Sequence, residues 1–451
     1  MPAMLERTVL AVASLAAVLS LADTTAGPTA LVAVAVAAVL SVVRLATNHA
    51  RWQMVPAYLA VTWLSVGLAV DLPSSARIAG GVVTLMLLAL AGGLTTGLPV
   101  PSLPRPDGPF GVGTITTMEE RHTTAVSTTP RRRLFIKVWY PAEVDQVRSH
   151  REGEALWSEL REAPGIPVGL RLLTGYLRQV RTHAVRDARF SRVAVPGPVV
   201  LYHHALISIS AENSLLMESL ASHGYVVVST RHIDQRTELA EVNKDADPAA
   251  AARVQEINRD LLGELTRAER ARLAHELFQL SAATATIVAR RAADARHVLD
   301  RLPAVLAAIP GYPTGRPAPD QVAAIGLSLG GAVASELSKA DERCAAVVNI
   351  DGELYGELLQ EPLTSPYLMI YSELNSGGND IARQAAQATF HEVTAFGAKH
   401  LDFHDASVVL PLLRWLGQLG SGSGAQITAW KNEQIRRFLD QTIRATEGAS
   451  P

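Results

Sequence analysis

The sequence predicts an α/β fold, a mostly parallel sheet with helices on both faces, preceded by a bundle of transmembrane helices. Three observations carry that expectation. Short apolar strands alternate with helical patterns through the second half of the chain. A turn with one serine between two glycines, Gly326-Leu-Ser-Leu-Gly330, joins one of those strands to a helix. The first hundred residues hold only seven acidic or basic side chains.

Those seven are Glu6, Arg7, Asp23, Arg44, Arg51, Asp71 and Arg77. Four apolar runs lie between them, near residues 8–22, 28–43, 54–70 and 78–99. The fourth is long enough to cross hydrocarbon; the first three fall somewhat short of the usual ~20 residues. Helices almost free of charge have no polar face to offer water, which argues against a soluble helical layer. Their Ala and Gly content suits close packing in lipid. The first run also has the shape of a signal peptide with Arg7 as a sparse n-region, but three further runs follow at once. If all four cross, Arg7, Arg44, Arg51 and the later Arg131, Arg132 and Arg133 share one side, which the positive-inside rule makes cytoplasmic. Residues 1–100 are therefore expected to be a membrane region, and the rest of the chain to face the cytoplasm.

Composition narrows the rest. A net charge of -2 gives no field for a nucleic-acid partner. The single cysteine, Cys344, excludes an intramolecular disulfide. No CxxC, HExxH or EF-hand pattern is present, so neither a metal nor a cofactor is expected.

Proline and glycine punctuate residues 97–113, "GLPVPSLPRPDGPFGVG", and residues 101–130 read as a linker and domain entry. The soluble domain is expected over residues 131–451. "RRRLFIKVWYPAE" alternates as a strand. Residues 144–192 show helical patterns without clear chemistry. Residues 199–202, a helix near 211–223 and "YVVVSTRH" form a βαβ unit. Residues 247–306 are helical, polar and Ala-rich, an insertion that fits a cap over a sheet edge or a solvated hairpin. Strands then follow at 322–325, 345–350, 367–371 and 391–394, with a closing amphipathic helix at 427–446.

The serine turn carries the chemistry. A nucleophilic hydroxyl must stand clear of its own backbone, and a sharp strand-to-helix turn achieves this if the residues two before and two after lack side chains. Gly326 and Gly330 meet that demand, and Ser328 is the expected nucleophile. The amide of Leu329, at the helix N-terminus, is aimed at a developing oxyanion. In such sheets an acid and then a histidine follow later in the chain. "CAAVVNIDG" delivers Asp351 to the end of a strand; Asp380 competes with it but suits a helix cap. The candidate bases are His391, inside a strand pattern, and His400 and His404 in "FGAKHLDFHD". His400 and His404 stand four apart, with Asp402 and Asp405 beside them, so a metal pair is an alternative reading.

"GLSLGG", "VVNIDG" and "KHLDFHD", in that order, resemble the plasma-type (group VII) platelet-activating factor acetylhydrolases, within the α/β-hydrolases. "FIKVWYPA", "VVLYHHALIS" and "LASHGYVVVSTRH" resemble further segments of that family. The resemblance implies an α/β-hydrolase fold and a Ca²⁺-independent serine esterase with Ser328 as nucleophile, His400 as base and Asp351 as orienting acid. The family's His-x-x-Phe-x-Asp pattern falls on His400, Phe403 and Asp405, which favours His400. The backbone amide of Leu206 is the implied second oxyanion donor. There the chain departs from the family, with Ala205 and Ile207 where the family has glycine. "RWQMVPAY", residues 51–58, resembles a membrane region attached to some bacterial members of this group, so a bacterial cell membrane is the expected location. Short-chain esters of lipids are the expected substrates and the bilayer the expected partner. A catalytically inactive sensor or scaffold on the same fold is the alternative.

Overall fold

The computed structural model describes residues 2–21, 27–46, 51–70, 73–122, 131–143, 153–161, 168–194, 197–206, 208–232, 240, 247–261, 263–313, 319–359 and 361–444. The chain forms two compact units. One holds Met1–Ser102 with Val168–Val180; the other holds Leu103–Pro167 and Arg181–Pro451.

The first unit contains four helices, α1 (Pro2–Leu21), α2 (Gly27–Ala46), α3 (Val55–Ala69) and α4 (Ser74–Gly97), and a short α5 (Val168–Leu173). Its size pattern is inverted relative to a water-soluble bundle. Ala13, Ala16, Ala37, Ala57, Ala60 and Ala91 are buried between helices, while Leu31, Val39, Val42, Leu59 and Met86 face outward. Small residues inside let helix backbones approach closely, and large apolar residues outside suit a hydrocarbon solvent. Gly80 shows how close that approach is: a Cβ there would stand 2.4 Å from the Trp63 ring nitrogen.

Glu6 accepts hydrogen bonds from both Arg44 and Arg51, the latter through Nε at 2.8 Å, and Arg51 donates to the Leu98 carbonyl at 3.3 Å. The start of α1, the end of α2, the residue entering the α3 segment and the residue leaving α4 therefore meet at one end. The four helices run alternately up and down. Three of them, over Met4–Leu21, Pro28–Ala46 and Ser74–Gly97, are long and apolar enough to cross a membrane. The third of the four expected spans, α3, is shorter than the others. Its 15 residues reach about 22 Å at 1.5 Å per residue, short of a ~30 Å hydrocarbon core.

The second unit is built on a nine-stranded sheet. Its strands are β1 (Gly111–His122), β2 (Arg131–Ala142), β3 (Ala184–Arg186), β4 (Val199–His203), β5 (Val226–His232), β6 (Val322–Leu327), β7 (Cys344–Ile350), β8 (Tyr367–Ser372) and β9 (Phe390–Ala395), in the order β3-β1-β2-β5-β4-β6-β7-β8-β9. β5 to β9 are parallel across every pairing, while β2 pairs antiparallel with β1 and β5. All six residues of β6 are buried, as expected of a central strand covered on both faces. The sheet starts earlier than residue 131. β1 lies within the stretch that reads as a linker, because the glycines that look like loop punctuation are packing sites. A Cβ on Gly113 would stand 2.4 Å from the Tyr140 ring.

Helices α6 (Ser214–Ser222), α7 (Pro248–Asp260), α8 (Arg267–Gln279), α9 (Ala282–Asp300), α10 (Leu302–Ala307), α11 (Leu329–Ala340), α12 (Asp380–Ala385), α13 (Ala406–Val409), α14 (Leu412–Trp415) and α15 (Gly424–Leu439) complete this unit. α9 belongs to the core. Its Ile287, Val288, Ala295 and Val298 join Leu201, Val322, Ala324 and Ala332 in one buried apolar cluster. Only the earlier part of residues 247–306, α7 and α8, stands outside that cluster. Burying Val298 alone contributes roughly 1.5–3 kcal/mol, so α9 is fixed to the sheet rather than free to act as a hinged cover.

Candidate active site

β6 leaves the sheet at Leu327, and α11 begins at Leu329. Ser328 sits between them at φ +56° and ψ −125°. That is a conformation L-residues avoid, at a cost of order 1–3 kcal/mol. The glycines make it possible. A Cβ on Gly326 would fall 1.9 Å from the Gly330 carbonyl carbon, and one on Gly330 would fall 1.9 Å from the His203 carbonyl oxygen. The turn is held by the Ser328 amide donating to the Ile350 carbonyl at 2.9 Å and the Gly331 amide donating to the Ser328 carbonyl at 2.8 Å.

β7 delivers Asp351 beside this turn, again at positive φ, +52°. The next residue, Gly352, touches the serine turn through backbone: a Cβ there would lie 2.1 Å from the Ser328 carbonyl oxygen. Asn349 fastens the loop, accepting from the Gly352 amide at 2.8 Å and donating to its carbonyl at 3.1 Å. The Asp351 carboxylate is buried and fully used. Oδ1 accepts from the Ser372 amide at 2.6 Å, and Oδ2 from Asn375 Nδ2 at 2.9 Å.

His400 opens a short 3₁₀ turn, His400–Phe403, and donates from Nδ1 to Asp351 Oδ2 at 2.8 Å. With that proton on Nδ1, the neutral ring carries its lone pair on Nε2. The side chain is 47% exposed. Burial pulls its pKa down, but the hydrogen bond and charge of Asp351, with Glu353 and Glu212 adding, raise it above the ordinary histidine value. The structure thus joins two of the three sequence candidates directly and sets the third on the adjoining turn. No hydrogen bond joins the Ser328 hydroxyl to the His400 ring. Catalytic hydrogen bonds of this kind often tighten only once substrate is bound.

The competing candidates are used elsewhere. Asp380 pairs with Arg267 at 2.5 Å and Arg383 at 3.0 Å. His391 is exposed on β9, its ring set edge-on to Phe438. His404 accepts from the Ala406 amide through Nδ1 at 2.9 Å and packs edge-on against Trp157. Burial, with the Lys431 and His400 charges, pushes it down to about 3. It stays neutral and structural. Asp402 accepts from the Lys399 and Gly420 amides, and Asp405 from the Leu215 amide. Among the described residues no three His, Cys, Asp or Glu side chains converge as metal ligands.

The oxyanion candidates sit at the same edge. Leu329 is the first residue of α11, where helix amides lack intrahelical acceptors. Leu206 follows β4 in the loop His204-Ala205-Leu206. Ile207 lies outside the described residues. Two features of this loop escape sequence reasoning. Arg291 of α9 donates to the carbonyls of His204 and Ala205, each at 3.3 Å, and of Leu206 at 3.1 Å. Glu212 accepts from the Ala205 amide at 3.1 Å and from the Tyr202 hydroxyl at 2.8 Å, and burial lifts its carboxyl to about 7. A signal for Arg291 existed: it breaks the apolar face that Ile287, Ala295 and Val298 continue, and a charge on a buried face needs a partner.

A parallel-centred sheet with a strained serine on the strand-to-helix turn, and an acid–histidine pair on the next loops, defines the class: this is an α/β-hydrolase fold. Residues 98–280 match the family model for platelet-activating factor acetylhydrolase, isoform II. The match covers less than half of the chain and ends before Ser328. A ferulic acid esterase from Streptomyces cinnamoneus aligns over 77% of this chain and 94% of its own, with a TM-score of 0.56 and 22% identity. A protein named m3DLH aligns over 73% of this chain and 99% of its own at a TM-score of 0.35 and 15% identity. A dienelactone hydrolase-like promiscuous phosphotriesterase, P91, from metagenomic libraries aligns over 72% and 99% at a TM-score of 0.32 and 14% identity. No curated protein matches the chain.

Proposed function

We propose that this chain is a membrane-anchored serine hydrolase of carboxylic esters, with lipid-like esters of short acyl chains as its substrate class. The observation that carries the reading is Ser328 held at φ +56° beside a buried carboxylate that already bonds His400. A strained hydroxyl on such a turn has no structural use that offsets its cost; presentation to a substrate is the use it fits.

In this mechanism Ser328 Oγ attacks the ester carbonyl. His400 Nε2 takes the hydroxyl proton and returns it to the leaving alcohol. Asp351 holds the ring in the Nδ1–H tautomer and stabilises the imidazolium that forms. The amides of Leu329 and Leu206 receive the oxyanion. Water then releases the acyl group by the same route in reverse. The membrane anchor is the four-helix bundle, supported by the length and apolar composition of α1, α2 and α4 and by the outward-facing Leu, Val and Met side chains. The bias of arginines toward one end favours a cytoplasmic hydrolase unit.

The test is labelling of the full chain with a fluorophosphonate, followed by turnover of p-nitrophenyl esters of rising chain length. Labelling of the wild type and its loss in Ser328→Ala are expected. A folded protein that neither labels nor turns over any ester would leave the inactive sensor or scaffold as the better reading.

A further inference from the structure

The loop His204-Ala205-Leu206, which carries the second oxyanion candidate, is held from outside. Arg291 does the holding. Its side chain is buried, and its guanidinium donates to three consecutive carbonyls, those of His204, Ala205 and Leu206. A trans peptide is planar, with its C=O and N–H pointing in opposite directions. A carbonyl drawn toward Arg291 therefore turns the amide of the next residue away from it. The first peptide demonstrates the rule. The His204 carbonyl faces Arg291, and the Ala205 amide points away, to Glu212 Oε1 at 3.1 Å. The second peptide obeys the same constraint. The Ala205 carbonyl is held by Arg291 and also accepts from His204 Nδ1 at 2.6 Å, so the Leu206 amide faces away from the guanidinium.

The arginine itself is anchored. One turn along α9, Asp294 is buried and takes Arg132 Nη2 at 2.9 Å, Arg121 Nε at 2.7 Å and His232 Nδ1 at 3.0 Å. Side chains from three strands thus fix the helix segment that carries Arg291, since Arg121 lies on β1, Arg132 on β2 and His232 on β5. A lysine could not replace the fork. Its point charge cannot serve three carbonyls in a fixed plane.

We propose that Arg291 is a positioning residue that aims the Leu206 amide at the oxyanion. The proposal rests on the esterase reading above. The full chain, purified in detergent, would be compared with Arg291→Met, Arg291→Lys and Val298→Ala. Turnover of p-nitrophenyl acetate, inhibition by an alkyl trifluoromethyl ketone and the thermal midpoint would be measured for each. A trifluoromethyl ketone forms a tetrahedral oxyanion on serine and so reads the donor directly.

For Arg291→Met and Arg291→Lys, kcat should fall about 10²–10³-fold, the loss expected when one oxyanion donor is removed. KM should change little, and ketone affinity should fall in step with kcat. Val298→Ala, a packing change on the same helix, should lower the thermal midpoint and leave kcat and ketone affinity near wild type. Should Arg291→Met prove unfolded, Arg291→Lys and its ketone affinity decide. Equal kcat and ketone affinity in wild type and Arg291→Lys would overturn the proposal, as would parallel losses in Val298→Ala, which would make the effect one of stability. A wild type that is inert and unlabelled would instead remove the esterase reading on which the proposal stands.

Discussion

His400 Nδ1 lies 2.8 Å from Asp351 Oδ2 across 49 residues of chain. The contact sets both the tautomer and the proton affinity of the ring. Because Asp351 and its acidic neighbours outweigh burial, the pKa of His400 stands above the ordinary value of about 6.5. General-base chemistry needs the neutral ring. The acid limb of the kcat/KM profile should therefore fall at a pH above that ordinary value. Asp351→Asn should move the limb down and cut kcat by about 10³–10⁴-fold, because the wrong tautomer then dominates. A pH–rate series on both proteins checks it. A raised histidine pKa stabilises the fold below the unfolded value, and that contribution fades as pH rises through the folded one. The stability gap between the two proteins should accordingly be widest in acid.

The glycine pair of the serine turn makes a steric prediction. Gly326→Ala and Gly330→Ala each place a methyl group 1.9 Å from backbone atoms that cannot yield without opening the turn. Either change should abolish fluorophosphonate labelling. Overpacking of this kind costs about 1–3 kcal/mol or more, so a lower urea midpoint should accompany it.

Lys431 of α15 is buried and donates to Asn213 at 2.6 Å and to the Phe403 carbonyl at 2.8 Å. It ties the segment behind His400 to the residue that precedes α6. Lys431→Met leaves two buried acceptors without this donor, at about 1–3 kcal/mol each. A urea unfolding curve should show a loss of that order. Activity should fall as well, because the turn carrying His400 is released.

In the helical unit, Glu6 balances Arg44 and Arg51 away from solvent. Glu6→Gln leaves buried cations uncompensated, a change that costs about 3–5 kcal/mol. The variant should lose its monodisperse form in mild detergent at a lower temperature than the wild type, read by size-exclusion after heating. The wild type itself should stay with the membrane pellet after carbonate washing.

Much of the site was legible because its residues carry local signatures. Gly326, Ser328 and Gly330 spell out a turn whose geometry is dictated within five residues. Asp351 ends an apolar strand, and the loop holding His400 follows the last one. These strands were readable because parallel-sheet strands bury both faces and so appear as continuous apolar runs. Strand β1 was hidden because its glycines serve close packing against Tyr140 yet look like loop residues. The place of helix α9 in the core was hidden because Arg291 and Asp294 dilute its apolar face, and only their partners on other elements explain why they are buried.

The sequence by itself determined strands β2 and β4 to β9, the strained serine turn and the apolar character of the N-terminal helices. Each of these follows from residues near one another in the chain. Tertiary structure alone decided which histidine meets Asp351, which acid is instead spent on Arg267, and how the loop at Ala205 is held. Those choices depend on hydrogen bonds between groups dozens of residues apart, whose energies exist only once the sheet has brought their elements to a common edge.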